Sequence, residues 1–161
     1  MHAQFDVLIY AAGALAAHDI DELDLATMEY LYRVNVFAPM VLESGLLDLI
    51  ESNGADVINI TSSSIIDFYP AFSEYSSSKA ALAKFTTDLR ARLERTAARV
   101  TELCPSGFAS SMYASMRGTR IARDETIQIP VEVIAQFMLT LLDLPKRMEV
   151  GRVFINRKIV S

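Results

Sequence analysis

Asp56-Val57-Ile58-Asn59-Ile60 is a short run, apolar at three of its positions, that breaks off into Thr61-Ser62-Ser63-Ser64. A nearly continuous apolar run of this length suits a strand covered on both faces, the kind that parallel sheets use. Asn53-Gly54 just before it is a stop signal for a preceding helix. Working outward, Phe5 to Tyr10 (FDVLIY), closed by Gly13, reads the same way. Val100 to Cys104, ended by Pro105 and Gly107, and Val153 to Ile155, opened by Gly151, are weaker runs of the same type. Four buried strands are expected.

Helical patterns lie between them. Leu25 to about Glu51 carries Met28, Leu31, Tyr32, Met40, Leu46, Leu47 and Ile50 at mixed spacings of three and four, with Asp24 as N-cap. Ser73 to about Ala98 places Lys79, Leu82, Thr86, Leu89 and Leu93 on one stripe and ends among arginines, which suit a helix C-terminus. Pro130 opens a third helix that runs through Leu144 and stops at Pro145. Strands alternating with helices predict an α/β fold, a three-layer sandwich around a parallel sheet with right-handed crossovers. Ser106 to Ile129 fits neither period, and a loop of that length is expected to be a lid or binding loop.

A chain of 161 residues, without repeats or a linker, is expected to form one domain over residues 1–161 and to bury roughly two thirds of its unfolded surface. Its hydrophobic fraction of 52% and mean hydropathy of +0.26 argue against disorder and leave room for self-association. Twenty acidic against fifteen basic residues give a net charge of −5, which argues against nucleic acid as a partner. Cys104 has no disulfide partner, and His2 and His18 lack the neighbours of a zinc site, so no metal is expected and a reducing cytoplasm fits. The longest apolar run, Val7 to Ala17, is eleven residues, short of the ~20 of a membrane span. Asp6 rather than a basic residue precedes it, so a signal peptide is not expected either.

Tyr75 and Lys79 are four apart at the start of the second helix, which puts both on one face. An ammonium beside a phenol favours the phenolate, so Lys79 is expected to lower the Tyr75 pKa toward the range of a general acid or base. By spacing alone the pair reads as an ordinary helix surface, since any helix offers such pairs. Ser62 follows a strand at its C-terminal end, where parallel sheets present ligand sites, and its hydroxyl could polarise a carbonyl. Its neighbours Thr61, Ser63 and Ser64 read as turn residues. Pro39 inside a helix removes the bond to the carbonyl of Asn35, which is expected to be left free to hold a water. Read in isolation, that proline merely bends the helix.

Together, Asn35, Ser62, Tyr75-Ser-Ser-Ser-Lys79 and the Val7-Leu-Ile-Tyr-Ala-Ala-Gly13 turn resemble the short-chain dehydrogenase/reductase family in order and spacing. The resemblance runs from Phe5 to Lys158. It includes Pro105-Ser-Gly-Phe108, similar to the family's Pro-Gly turn beside the nicotinamide, and a last strand within Val150 to Arg157. It implies a Rossmann-like fold and an oxidoreductase that interconverts a small carbonyl and an alcohol with NAD or NADP. By residue it implies Tyr75 as proton donor and acceptor, Ser62 as the group orienting the substrate oxygen, Lys79 as ribose ligand, and Asn35 as anchor of a proton-relay water. The cofactor-binding set it implies is Ala11, Ala12, Gly13, Ile60, Tyr75, Lys79, Pro105, Gly107 and Phe108. It also implies a homo-oligomer paired through the two long helices.

There are departures. Tyr10-Ala11-Ala12-Gly13 stands where the family has Asn-Asn-Ala-Gly, which removes amides that brace the sheet, and Ser106 interrupts the Pro-Gly turn. The glycine-rich phosphate turn Thr-Gly-x-x-x-Gly-x-Gly has no counterpart in residues 1–24. At ~30 residues per strand–helix–strand step, the family's preceding segment is on the order of 80 residues. The chain is therefore expected to be the C-terminal, catalytic portion of that fold, with Phe5 to Tyr10 as an edge strand, and to need the nucleotide-binding half from elsewhere. The alternative is a non-catalytic relative that serves as a dimerisation or interaction module. Ser76-Ser-Ser-Lys79 also fits the Ser-x-x-Lys of certain hydrolases, but neither Ser-Asp-Asn nor Lys-Thr-Gly accompanies it.

Overall fold

The computed structural model describes residues 4–118 and 128–158. Four parallel strands form the main sheet: β1 (Val7–Tyr10), β3 (Asp56–Ile60), β4 (Arg99–Pro105) and β6 (Arg152–Ile155), adjacent in that order. All four coincide with the expected runs, β4 and β6 being slightly longer. β1 lies at one end of the sheet, with Val7 and Ile9 exposed.

The three layers follow from alternation along β3. Val57 points into a cluster with Ile50, Leu89, Leu93 and Val100, under α3 (Leu47–Asn53) and α4 (Ser73–Leu93). Its neighbour Ile58 points the other way, into a cluster with Leu103, Ile134 and Leu141 under α5 (Val131–Leu142). Successive side chains of a strand face opposite sides, so a strand apolar at consecutive positions is stable only between two helical layers. The polar positions of the sheet are paired. Arg99 forks onto both Asp56 carboxylate oxygens at 2.7 Å each, and its remaining donors reach the Leu142 and Leu144 carbonyls, tying the end of α5 to the sheet. Buried Glu102 accepts from Thr61 at 3.0 Å and from Arg152 at 2.5 Å.

The expected helix from Leu25 to Glu51 is instead three α segments: α1 (Leu25–Tyr32), α2 (Ala38–Gly45) and α3, with a π turn at Arg33–Phe37. Asp24 caps α1 as expected, accepting from the Thr27 N–H at 2.8 Å. Pro39 has no N–H to give, and the ladder absorbs the defect by widening, with the Ala38 N–H reaching back to the Arg33 carbonyl. A second break falls at Leu46, and Gly54, at φ 59°, ends α3 in the left-handed conformation that glycine tolerates best. α4 stops at Leu93, short of the expected Ala98, where the Thr96 N–H and hydroxyl both bond the Leu93 carbonyl.

A second, two-stranded parallel sheet had no counterpart in the expected element order. β2 (Ala16–Ala17) pairs with β5 (Arg117–Gly118), joining the chain after β1 to the chain after β4. Within the expected lid, Ser111–Ser115 forms a 3-10 turn; residues 119–127 of that loop, like His2, lie outside the described residues. Among the described residues no helix is long and apolar enough to cross a membrane.

Candidate active site

At the C-terminal end of the parallel sheet, β3 hands the chain to Thr61 and Ser62. Ser62 is buried and extended, and its hydroxyl accepts the Ser64 N–H at 3.1 Å, so the turn fixes it in place. Across from it, the first turns of α4 carry Tyr75 and Lys79. The Lys79 ammonium donates to the Ile60 carbonyl at 2.9 Å, the last residue of β3, and stands 6.0 Å from the centre of the Tyr75 ring. That bond points the amine at the strand end and not at Ser76, so the Ser-x-x-Lys spacing does not produce a Ser–Lys pair.

These groups share one cavity of about 850 Å³, lined by Ser62, Tyr75 and Lys79 together with Ala11, Ala12, Gly13 and Ile60. Pro105, Gly107 and Phe108 line it too. Every residue of the expected cofactor-binding set thus faces the same hollow. Gly13 is a close approach within it: a Cβ there would lie 2.9 Å from the Met112 methyl and 3.5 Å from the Lys79 ammonium. Strand ends, a helix start and the β4 turn converge here because a parallel sheet brings all its C-terminal ends to one edge.

Asn35 is not in the cavity lining but behind it. Its fully buried side chain, inside the π turn, accepts from the Ala14 N–H at 2.8 Å and donates to the Ala14 carbonyl at 3.0 Å and to Ser78 at 2.9 Å. What this residue shows is a brace made by its amide, whereas the sequence pointed to its main-chain oxygen. The lost Asn-Asn amides find a substitute as well, since the Tyr10 hydroxyl donates to the Val34 carbonyl at 2.7 Å.

The electrostatics correct one expectation. Burial pushes the Tyr75 phenol up to about 12; the Ser62 hydroxyl pulls the other way, and Tyr113 adds to the rise. Burial also brings Lys79 down to about 8. Desolvation is the largest effect on both groups, because the packing of α4 against the end of β3 shuts water away from the phenol and the amine alike.

Two further lining residues, Gln128 and Arg157, were not singled out from the sequence. Gln128 belongs to no motif, and Arg157 only closes the last-strand segment. The available signal for Arg157 was its place just past the last strand, on the ligand-binding edge of the sheet.

A family model described as "short chain dehydrogenase" matches residues 1–120. The chain belongs to the short-chain dehydrogenase/reductase family. Members of that family are oxidoreductases. Among its similar proteins is sulfoacetaldehyde reductase 2 of Chromohalobacter salexigens, 31% identical over 154 residues, which are 90% of this chain and 61% of the relative. NADP-dependent 3-hydroxy acid dehydrogenase of Schizosaccharomyces pombe is 32% identical over 117 residues, 71% of this chain and 45% of that one. An alcohol dehydrogenase from the archaeon Thermococcus sibiricus, complexed with 5-hydroxy-NADP, superimposes with a TM-score of 0.83 at 22% identity, covering 94% of this chain and 63% of its own. The shared fold is the Rossmann-like sandwich. The chain spans about three fifths of the length of the relatives that it matches from end to end.

Proposed function

We propose that this chain carries the proton-handling and substrate-orienting part of an NAD(P)-dependent carbonyl–alcohol oxidoreductase. The observation that carries the reading is the convergence of Ser62, Tyr75 and Lys79 on one cavity beside Gly13 and the Pro105–Gly107 turn. The names of the relatives, a sulfoacetaldehyde reductase and a 3-hydroxy acid dehydrogenase, both describe a carbonyl–alcohol couple and support it.

A nicotinamide dinucleotide, when bound, supplies the hydride chemistry. Its ribose–nicotinamide end fits the residues present: Gly13 leaves room where a side chain would crowd Lys79, and the Met112 methyl beside it ends a flexible chain that can move aside. Ala11, Ala12, Ile60, Phe108 and the Pro105–Gly107 turn complete that wall. Tyr75 gives its proton to the substrate oxygen as the carbonyl becomes an alcohol and takes it back in the reverse direction. Ser62 donates a hydrogen bond to the same oxygen and holds it toward Tyr75. Lys79 binds ribose hydroxyls, and its charge stabilises the phenolate as the proton leaves; an amine near 8 is still largely protonated at neutral pH. The free main-chain oxygen expected at Asn35 would anchor a water that passes the proton onward.

We read residues 1–161 as a single catalytic domain of a cytoplasmic protein. Exposed apolar residues along α1 and α2, among them Leu25 and Val41, support pairing of two copies through the Leu25–Asn53 segment and α4. The convergence of Ser62, Tyr75 and Lys79 on one cavity favours catalysis over a purely adhesive role.

The test is reduction of small aldehydes and ketones with NADH and with NADPH by the chain and by Tyr75→Phe, Ser62→Ala and Lys79→Met. Turnover that falls at least 100-fold in Tyr75→Phe while the fold is retained is expected. Turnover indifferent to all three changes would overturn the reading.

A further inference from the structure

The active-site cavity has a charge pattern that the proton-handling residues do not explain. Among the described residues no Asp or Glu lines it, while two cationic side chains do, Lys79 and Arg157. Lys79 has its place in the proton-handling group, and one of its donors is held by the Ile60 carbonyl at 2.9 Å. Arg157 has no comparable commitment. Several arginines are engaged elsewhere: Arg99 with Asp56, Arg152 with Glu102, Arg92 with Glu51, Arg90 with the Gly151 carbonyl, and Arg117 over the Tyr30 ring at 3.7 Å; Arg95 and Arg147 are not paired among the described residues, but neither lines the cavity. Among the described residues Arg157 takes part in no ion pair.

Its backbone is nevertheless held. The Arg157 N–H donates to the Ser106 hydroxyl at 2.7 Å, which fastens the segment after β6 to the turn after β4. The guanidinium lies over that turn, where a Cβ added to Gly107 would be 3.4 Å from its Nη1. A fixed main chain, a fork of donors at the rim of a mostly apolar hollow and, among the described residues, no acidic partner make a receptor for a planar or tetrahedral oxyanion.

We propose that Arg157 binds an anionic group of the substrate, a carboxylate or sulfonate, so that the chain acts on small oxo acids and their hydroxy-acid partners. The proposal rests on the carbonyl–alcohol reading above and deepens it by assigning the end of the substrate that does not react. Specificity arises by contrast: a neutral carbonyl compound leaves the guanidinium unpaired at the rim, whereas an acid of the right length satisfies it while its carbonyl rests on Ser62 and Tyr75.

Calorimetric titration of the chain, and of Arg157→Gln and Arg157→Lys, tests this with three probes: 3-hydroxybutyrate, neutral 1,3-butanediol and inorganic pyrophosphate. The expected result is binding of the acid at least about tenfold tighter than the diol, a preference that Arg157→Gln removes and Arg157→Lys keeps in part, because an ammonium keeps the charge without the fork. Equal binding of acid and diol, or a preference that Arg157→Gln leaves intact, overturns the proposal. So does a loss confined to pyrophosphate, which would give the guanidinium to the dinucleotide. Because these readouts are equilibrium binding, they are distinct from turnover: acid preference through Arg157 together with turnover indifferent to Tyr75→Phe, Ser62→Ala and Lys79→Met would overturn the oxidoreductase reading alone.

Discussion

Asn35 closes on Ala14 from both sides, its Oδ1 accepting the Ala14 N–H at 2.8 Å and its Nδ2 donating to the Ala14 carbonyl at 3.0 Å. The second Nδ2 hydrogen goes to Ser78 Oγ at 2.9 Å, so one amide ties the chain after β1 to the π turn and to α4. All of it is buried. Asn35→Ala strands a backbone donor and acceptor without water, which costs on the order of 2–4 kcal/mol. The midpoint of urea unfolding should fall accordingly. Asn35→Asp keeps the acceptor but turns a carboxylate oxygen toward the Ala14 carbonyl, and is expected to be no milder. A loss below about 1 kcal/mol would mean that the brace is dispensable.

Glu43, on α2, is fully buried; its Oε2 accepts from Asn59 at 3.2 Å, while its Oε1 and Asn59 Oδ1 have no hydrogen-bond partner. Burial pushes this carboxyl from 4.5 up to about 7, against a smaller pull from Asn59. The folded state therefore keeps a proton that the unfolded chain gives up, and the stability this contributes is present below pH 4.5 and lost as pH rises through about 7. Between pH 5 and 8 the loss should be on the order of 2 kcal/mol. Glu43→Gln, which carries a donor at every pH, should flatten that slope and raise the pH 8 melting temperature. A wild-type curve already flat over this range would contradict the assignment.

Gly118 has φ 80°, and a Cβ there would meet the Ala17 carbonyl oxygen at 2.2 Å and the His18 ring at 2.5 Å. Backbone cannot step aside, so Gly118→Ala should pry β5 from β2. Amide exchange at Arg117, whose N–H donates to the Leu15 carbonyl at 3.1 Å, should quicken at least about tenfold. Gly45, the last residue of α2, is the control with the opposite sign. Nothing lies within 4 Å of an added Cβ, so Gly45→Ala should stabilise by about 0.5–1 kcal/mol.

Gly13→Ala separates binding from folding. The nearest atoms to the new methyl are the ends of the flexible Met112 and Lys79 side chains, so the melting temperature should hardly move. The methyl would occupy the approach to Lys79, however, and affinity for NADH or NADPH, followed by nicotinamide fluorescence, should drop at least about tenfold. Unchanged affinity would place the nicotinamide end of the cofactor elsewhere.

The strands and the start of α4 were legible because each depends on neighbours in sequence. Val57 and Ile58 announce a strand with two covered faces, and Asp24 announces a helix start through an oxygen three residues from the amide it caps. The π turn was half legible: Pro39 marks a defect, but whether a helix kinks, breaks or widens depends on what packs around it, here the Asn35 amide between Ala14 and Ser78. β2 and β5 were not legible. Two residues carry no periodicity, and their partners lie about a hundred positions apart.

The sequence by itself determined the order of the four main strands and of the helical segments between them, the family, and the placing of Tyr75 and Lys79 on one helical face, since four residues make about one turn in any helix. Only the tertiary structure decided what those groups are chemically. Ser62 meets Tyr75 because β3 and α4 pack edge to start, and the Lys79 amine turns to the Ile60 carbonyl because the strand ends there. Burial then raises the phenol and lowers the amine by excluding water. Desolvation depends on everything that surrounds an atom in space, and no local pattern encodes it.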